Sequence, residues 1–165
     1  MTVRPILLWP DKRLATPAAR VGKINDRVRA VWADMIDTME AMPGVGLAAP
    51  QIGVTQALAV VDASDARGQA IRMADPELVW ASEATKPWDE ASPCLPGIAA
   101  KITRPDRVRV GFTDDTGTRR EQDFVGLWSV SVQHQLDHLA GRLFIDRLSR
   151  TKREMLLKKV RKAKA

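Results

Sequence analysis

One cysteine, Cys94, stands in the 165 residues, so no internal disulfide can form and nothing points to an oxidising compartment. No apolar run approaches the roughly 20 residues that a membrane helix requires. Met1 to Trp9 lacks the charged segment, long apolar segment and small-residue cleavage site of a secretory leader. A cytoplasmic protein is therefore the expectation, with no membrane among its partners. There is no internal repeat and no low-complexity linker. Histidine is scarce too: the chain has only His134 and His138.

What is present suits a single domain over 1–165. Apolar residues make up 45% of the chain, enough for a real core and too many for a disordered segment. Pro5, Pro10 and Pro17 divide the first twenty residues into short extended pieces. A helix follows, capped by Asn25 or Asp26, with Val28, Val31, Trp32, Met35, Ile36 and Met39 at helical spacing. Pro43 and Gly44 stop it. Gln56 to Asp62 and Pro76 to Ala81 read as strands. Val108, Val110 and Phe112 alternate along 107–112, a turn follows at 114–117, and 118–124 returns as the second arm of a hairpin. From about Gly126 to Leu139 the pattern is helical, with Gly141 as its C-terminal stop. Strands in the middle flanked by helices predict an α+β fold.

The net charge is +6, and its excess lies at the C-terminal end. From Arg147 to Lys164 there are nine basic residues against one acid, Glu154. The segment 150–165 predicts a basic helix or tail with Met155, Leu156 and Val160 as its apolar contacts. It is a solvated helix or a surface for an anionic partner.

His134 and His138 are four residues apart in a predicted helix, so both rings leave the same face and can bind one metal ion. This is the spacing of HExxH zinc helices. The residue after the first histidine, however, is Gln135 where that motif has glutamate. An amide can hydrogen-bond a water but cannot take its proton at neutral pH. Loss of a general base commonly costs about 10²–10⁴-fold in rate.

Two motifs together resemble the peptide deformylase family. Gly44-Val45-Gly46-Leu47-Ala48-Ala49-Pro50-Gln51 is similar to its glycine-rich GxGLAAxQ loop, and His134-Gln135-Leu136-Asp137-His138 to its HExDH helix. Phe124, Gly126, Gln133, Leu139, Gly141 and 143–149 agree as flanks, so the resemblance runs from about residue 4 to the C-terminus. It implies a single domain of antiparallel strands around a central helix that carries the histidines. It implies hydrolysis of the formyl group from N-formylmethionine of nascent peptides, with iron or zinc as the divalent metal. Gln51 would steady the formyl oxygen, and Gly44, Val45 and Gly46 would contact substrate. A basic C-terminal helix in this family suggests ribosome contact; no sequence-specific nucleic-acid binding is expected.

The family's remaining motif, EGCLS, supplies a cysteine ligand and a leucine N–H that faces the oxyanion. Here the segment reads Glu90-Ala91-Ser92-Pro93-Cys94-Leu95-Pro96-Gly97. One alignment places Cys94 and Leu95 on the family's Cys-Leu, which makes Cys94 a metal ligand and Leu95 a substrate contact, but it needs gaps. The other has no gap and matches Glu90 and Pro96-Gly97. It puts Ser92 at the ligand position and Pro93, which has no N–H, on the leucine. The ungapped alignment is the simpler. The altered motif, together with Gln135, points to a naturally diverged relative with weak or absent activity. Its alternatives are a non-catalytic peptide- or ribosome-binding protein, and a thiol hydrolase using Cys94 as nucleophile with the histidines as base.

Overall fold

The computed structural model describes residues 2–164. Helix α1 (Asp26–Ala41) starts where the sequence predicts: the Asn25 side chain accepts the Val28 N–H at 2.9 Å. Seven strands follow: β1 (Gly46–Ala48), β2 (Leu58–Val61), β3 (Ile71–Ala81), β4 (Thr85–Glu90), β5 (Ala100–Pro105), β6 (Arg107–Thr113) and β7 (Arg119–Val125). Then come α2 (Gly126–Leu139) and α3 (Arg150–Lys164). The strands form a five-stranded antiparallel sheet in the order β1-β2-β3-β6-β7 and a separate β4-β5 hairpin. This is the α+β arrangement expected.

β2 shows why a short apolar run reads as a strand buried on both faces. Leu58 and Val60 join Trp32, Met35 and Met39 of α1 in one cluster. Ala59 and Val61 point the other way and join Val108, Val110, Phe124 and Val132 of α2 in a second. The sheet is thus sandwiched between the two helices, and α2 runs through the interior with most of its residues buried. Gly126, at φ +59°, turns β7 directly into α2. Gly141, at φ +76°, ends it; a Cβ there would lie 2.8 Å from the Ala15 carbonyl oxygen.

Three expectations need correction. β3 begins at Ile71 rather than Pro76, because β2 pairs with its first four residues and an irregularity follows between Ala74 and Glu77. The β4-β5 hairpin was not foreseen; its arms mix proline and charge and lack a clear alternating pattern. In α3, Met155 is 61% exposed, while Leu157, absent from the expected contacts, is buried with Val160. Leu156, Leu157 and Val160 share one face by helical period and close a third cluster with Leu95, Ile102 and Phe144.

Candidate functional site

α2 presents one stripe to a cavity of about 440 Å³: Leu127, Val130, Ser131, His134 and Gln135. That i, i+3, i+4, i+7, i+8 spacing is one helix face. The glycine loop closes the opposite wall with Gly44, Val45 and Gly46, and Gln51 follows from the 3-10 turn Ala49–Ile52. Gly46 packs tightly against α2. A Cβ there would stand 2.5 Å from both the Gln135 Nε2 and the Ser131 Oγ. Ser131 in turn donates to the Val45 carbonyl at 2.8 Å, tying loop to helix.

His134 and His138 do converge. Their Nε2 atoms are 3.2 Å apart, a spacing at which both could reach one ion through bonds of about 2.0–2.1 Å. His134 Nδ1 faces Glu90 Oε1 at 2.9 Å. A carboxylate accepts only, so it fixes the proton on Nδ1 and leaves Nε2 as the acceptor. His138 is 1% exposed, and burial, followed by the repulsion that would arise if both rings were protonated, holds it well below the ordinary imidazole range. The neutral ring is the form that binds metal. The Phe144 ring stacks on His134 with centroids 6.0 Å apart.

Behind the histidines lies an ion network that sequence reading missed. Arg104, fully buried, donates to Glu90 through Nε at 2.5 Å and through a terminal nitrogen at 2.8 Å, and reaches Asp137 at 3.1 Å. Arg147 adds two bonds to Asp137, both 2.7 Å. Burial alone would raise the carboxyls of Glu90 and Asp137. The guanidinium hydrogen bonds and charges, with the His134 bond at Glu90, outweigh it and hold both below their ordinary values. Two carboxylates and two guanidiniums thus balance around the histidine pair. Glu90 was legible as a motif match. Arg104 carried no signal, because nothing in its own segment distinguishes it from a surface arginine on a hairpin.

The segment after β4 places Ser92 and Cys94 in different surroundings. Ser92 and Pro93 line the cavity; Cys94 and Leu95 do not. Cys94 is fully buried beside Gln51, whose Nε2 donates to its Sγ at 3.5 Å, and burial pushes its thiol up, so it stays protonated. A protonated thiol is a poor nucleophile, although a bound metal ion would itself displace that proton. The Leu95 N–H is consumed by the Ser92 carbonyl at 3.0 Å and its side chain fills the third core cluster. The chain therefore turns within three residues, and of Ser92, Pro93, Cys94 and Leu95 only the first two line the cavity. Gln51 lines it too, although its Oε1 already accepts the Ala48 N–H at 2.9 Å.

The donor set for a metal is incomplete. Among the described residues no group of three or more His, Cys, Asp and Glu side chains is placed to hold an ion. Catalytic zinc sites use three protein ligands. Here there are two imidazoles, a serine hydroxyl that is a poor ligand, and a carboxylate, Glu90, already bound to His134 Nδ1.

The Polypeptide deformylase family profile matches residues 3–154. The chain is 42% identical over 168 residues to the peptide deformylase of Methylocella silvestris, covering 99% of this chain and 86% of that protein. It is equally identical over 162 residues to a peptide deformylase-like protein of Bradyrhizobium diazoefficiens, covering 98% and 95%. The crystal structure of a peptide deformylase from Legionella pneumophila superposes with a TM-score of 0.92 at 37% identity, over 99% of this chain and 96% of that one. That of the Ehrlichia chaffeensis enzyme in complex with actinonin gives 0.93 at 31%, over 99% and 98%.

Proposed function

The chain belongs to the polypeptide deformylase family, and from that premise we propose that it keeps the family's peptide pocket but has lost most or all of the family's hydrolysis. Deformylases act on formylated nascent peptides, and a cytoplasmic site of action is part of this reading. The observation that carries it is the cavity wall: Ser92, Pro93 and Gln135 face the space where a thiolate, an N–H and a carboxylate would be needed, while Cys94 lies outside it.

Each change has its own chemical cost. Gln135 cannot take a proton from water. Ser92 does not complete a metal shell with His134 and His138. Pro93 cannot donate to an oxyanion. The family's divalent ion, iron or zinc, would therefore be held weakly, and no catalytic step is assigned to it in this chain. What remains suits binding. The wall of Gly44, Val45 and Gly46 is tied to α2 through the Ser131 bond to Val45, and His134 lines the cavity across from it. The placement of Cys94 gives the thiol-hydrolase alternative no support.

The test is a restoration series measured by hydrolysis of formyl-Met-Ala with zinc or ferrous iron supplied. Gln135→Glu alone is expected to change the rate little. Gln135→Glu combined with Ser92→Cys and Pro93→Leu is expected to raise it by about 10²-fold or more. Full recovery from Gln135→Glu alone would show that the ligand shell was never broken.

The exposed face of α3 carries Lys158, Lys159 and Lys162, and a salt-sensitive contact with ribosomal RNA belongs to the same reading. Replacing these three by alanine leaves Leu157 and Val160 in place. It should weaken co-sedimentation with ribosomes at low salt while leaving the melting temperature nearly unchanged. Equal co-sedimentation of the variant would remove this contact from the account.

A further inference from the structure

Arg67 takes no part in the site just described, and its backbone is in the left-handed region at φ +61°, a conformation that costs a branched or long side chain energy and persists only where its surroundings hold it. The surroundings are specific. Its N–H donates to Ser64 Oγ at 3.0 Å. Its guanidinium donates to the Asp62 carbonyl at 2.8 Å and the Gly44 carbonyl at 2.7 Å, and it pairs with the Glu40 carboxylate through two nitrogens at 3.0 and 3.2 Å. One side chain thus joins three elements: the last turn of α1 through Glu40, the loop after β2 through Asp62, and the glycine loop through Gly44.

The loop that presents Arg67 is built to hold it there. The Asp62 carboxylate, in a fully buried residue, accepts from the Ser64 N–H at 3.0 Å, the Ser64 hydroxyl at 2.5 Å and the Gln69 N–H at 2.9 Å. The Asp62 N–H donates to the Val45 carbonyl at 2.9 Å. On the other side, the Gly44 N–H donates to the Met39 carbonyl at 2.9 Å, at the end of α1. The carbonyls of Gly44 and Val45 are therefore both drawn toward the 62–69 loop. Those two residues form a wall of the cavity. A glycine-rich segment has a large conformational freedom to lose, so whatever fixes it decides how much of that loss falls on ligand binding.

We propose that Arg67 is a positioning residue, a clasp that sets the glycine loop in its ligand-ready shape and is felt in the affinity for an N-formylated peptide rather than in the fold. This rests on the reading of the cavity as a peptide pocket. A lysine cannot replace it fully. Three acceptors in different directions need the planar fork of a guanidinium, and an ammonium on a flexible stem serves one or two.

The informative variant is Arg67→Gly, because glycine accepts φ +61° without strain and removes only the clasp. Hydrogen exchange of the Gly44 and Asp62 amides is read without peptide, beside titration with formyl-Met-Ala and the melting temperature. The expected result is exchange faster by about tenfold or more at these two amides, unchanged exchange in the β6-β7 pair, and peptide affinity weaker by a similar factor. Arg67→Lys should fall between the variant and the wild type. Glu40→Gln, which loosens one arm only, should move both readouts the same way by less, and it serves if Arg67→Gly does not fold. Unchanged exchange at Gly44 and Asp62 overturns the clasp. Faster exchange with undiminished affinity overturns its positioning role. Failure of the wild-type protein to bind the peptide sinks the pocket reading instead, and the exchange data still decide the clasp.

Discussion

Ser92 lines the cavity, and two residues on a thiol is sealed in the core. The difference comes from the turn between them, closed by the Leu95 N–H on the Ser92 carbonyl. Spacing alone could not separate Cys94 from Ser92 as the third ligand, because a two-residue offset keeps the same side in a strand and changes it in a turn. Gly46 is the opposite case. Its place in the motif was readable, but the reason emerges only from the 2.5 Å that a Cβ would leave to Gln135 and Ser131. Gly46→Ala is expected to force both side chains off their positions and cost about 1–3 kcal/mol, an overpacking penalty measurable by urea unfolding. A change below about 0.5 kcal/mol would mean that α2 and the glycine loop are less tightly apposed than described.

Among the elements, α1, α2 and the β6-β7 hairpin were legible because each carries a strong period with its own stop signals: Asn25, Gly126 and Gly141, and the turn at 114–117. The β4-β5 hairpin was not, because Pro87, Asp89 and Lys101 obscure its alternation. Yet it is this hairpin that brings Glu90 and Arg104 under the histidines. Removing Arg104 leaves buried Glu90 with only its His134 bond and Asp137 with Arg147 alone, so Arg104→Met should cost about 3–5 kcal/mol. Arg109→Met, which breaks a half-exposed pair with Asp123, should cost under about 1 kcal/mol. If the two losses were equal, the buried network would not be what fixes the helix against the hairpin.

For the whole molecule, these same groups set the response to acid. The carboxyls of Glu90 and Asp137 lie below their ordinary values of 4.5 and 3.8 in the folded protein. A depressed carboxyl stabilises the fold above its unfolded pKa, and that contribution is lost as pH falls through the folded one. His138, held well below 6.5 by burial, adds in the same direction: the unfolded chain takes up its proton first, so stability declines as pH drops below about 6.5. Unfolding free energy should therefore begin to fall as pH drops below about 7 and fall more steeply below about 4.5, where the carboxyls add to His138. A flat profile down to about pH 4 would contradict the buried, neutral His138.

The central claim is that this deformylase-family chain has kept a pocket and lost the chemistry, and the most direct test is to measure bound metal and formyl-Met-Ala hydrolysis together. The protein should be purified without a histidine tag, kept anaerobic, and assayed with and without added zinc or ferrous iron. The account predicts metal well below one ion per chain and no turnover above the buffer rate, even with metal supplied. Stoichiometric metal accompanied by turnover would contradict it, and would mean that another group does the work that Gln135 and Ser92 cannot.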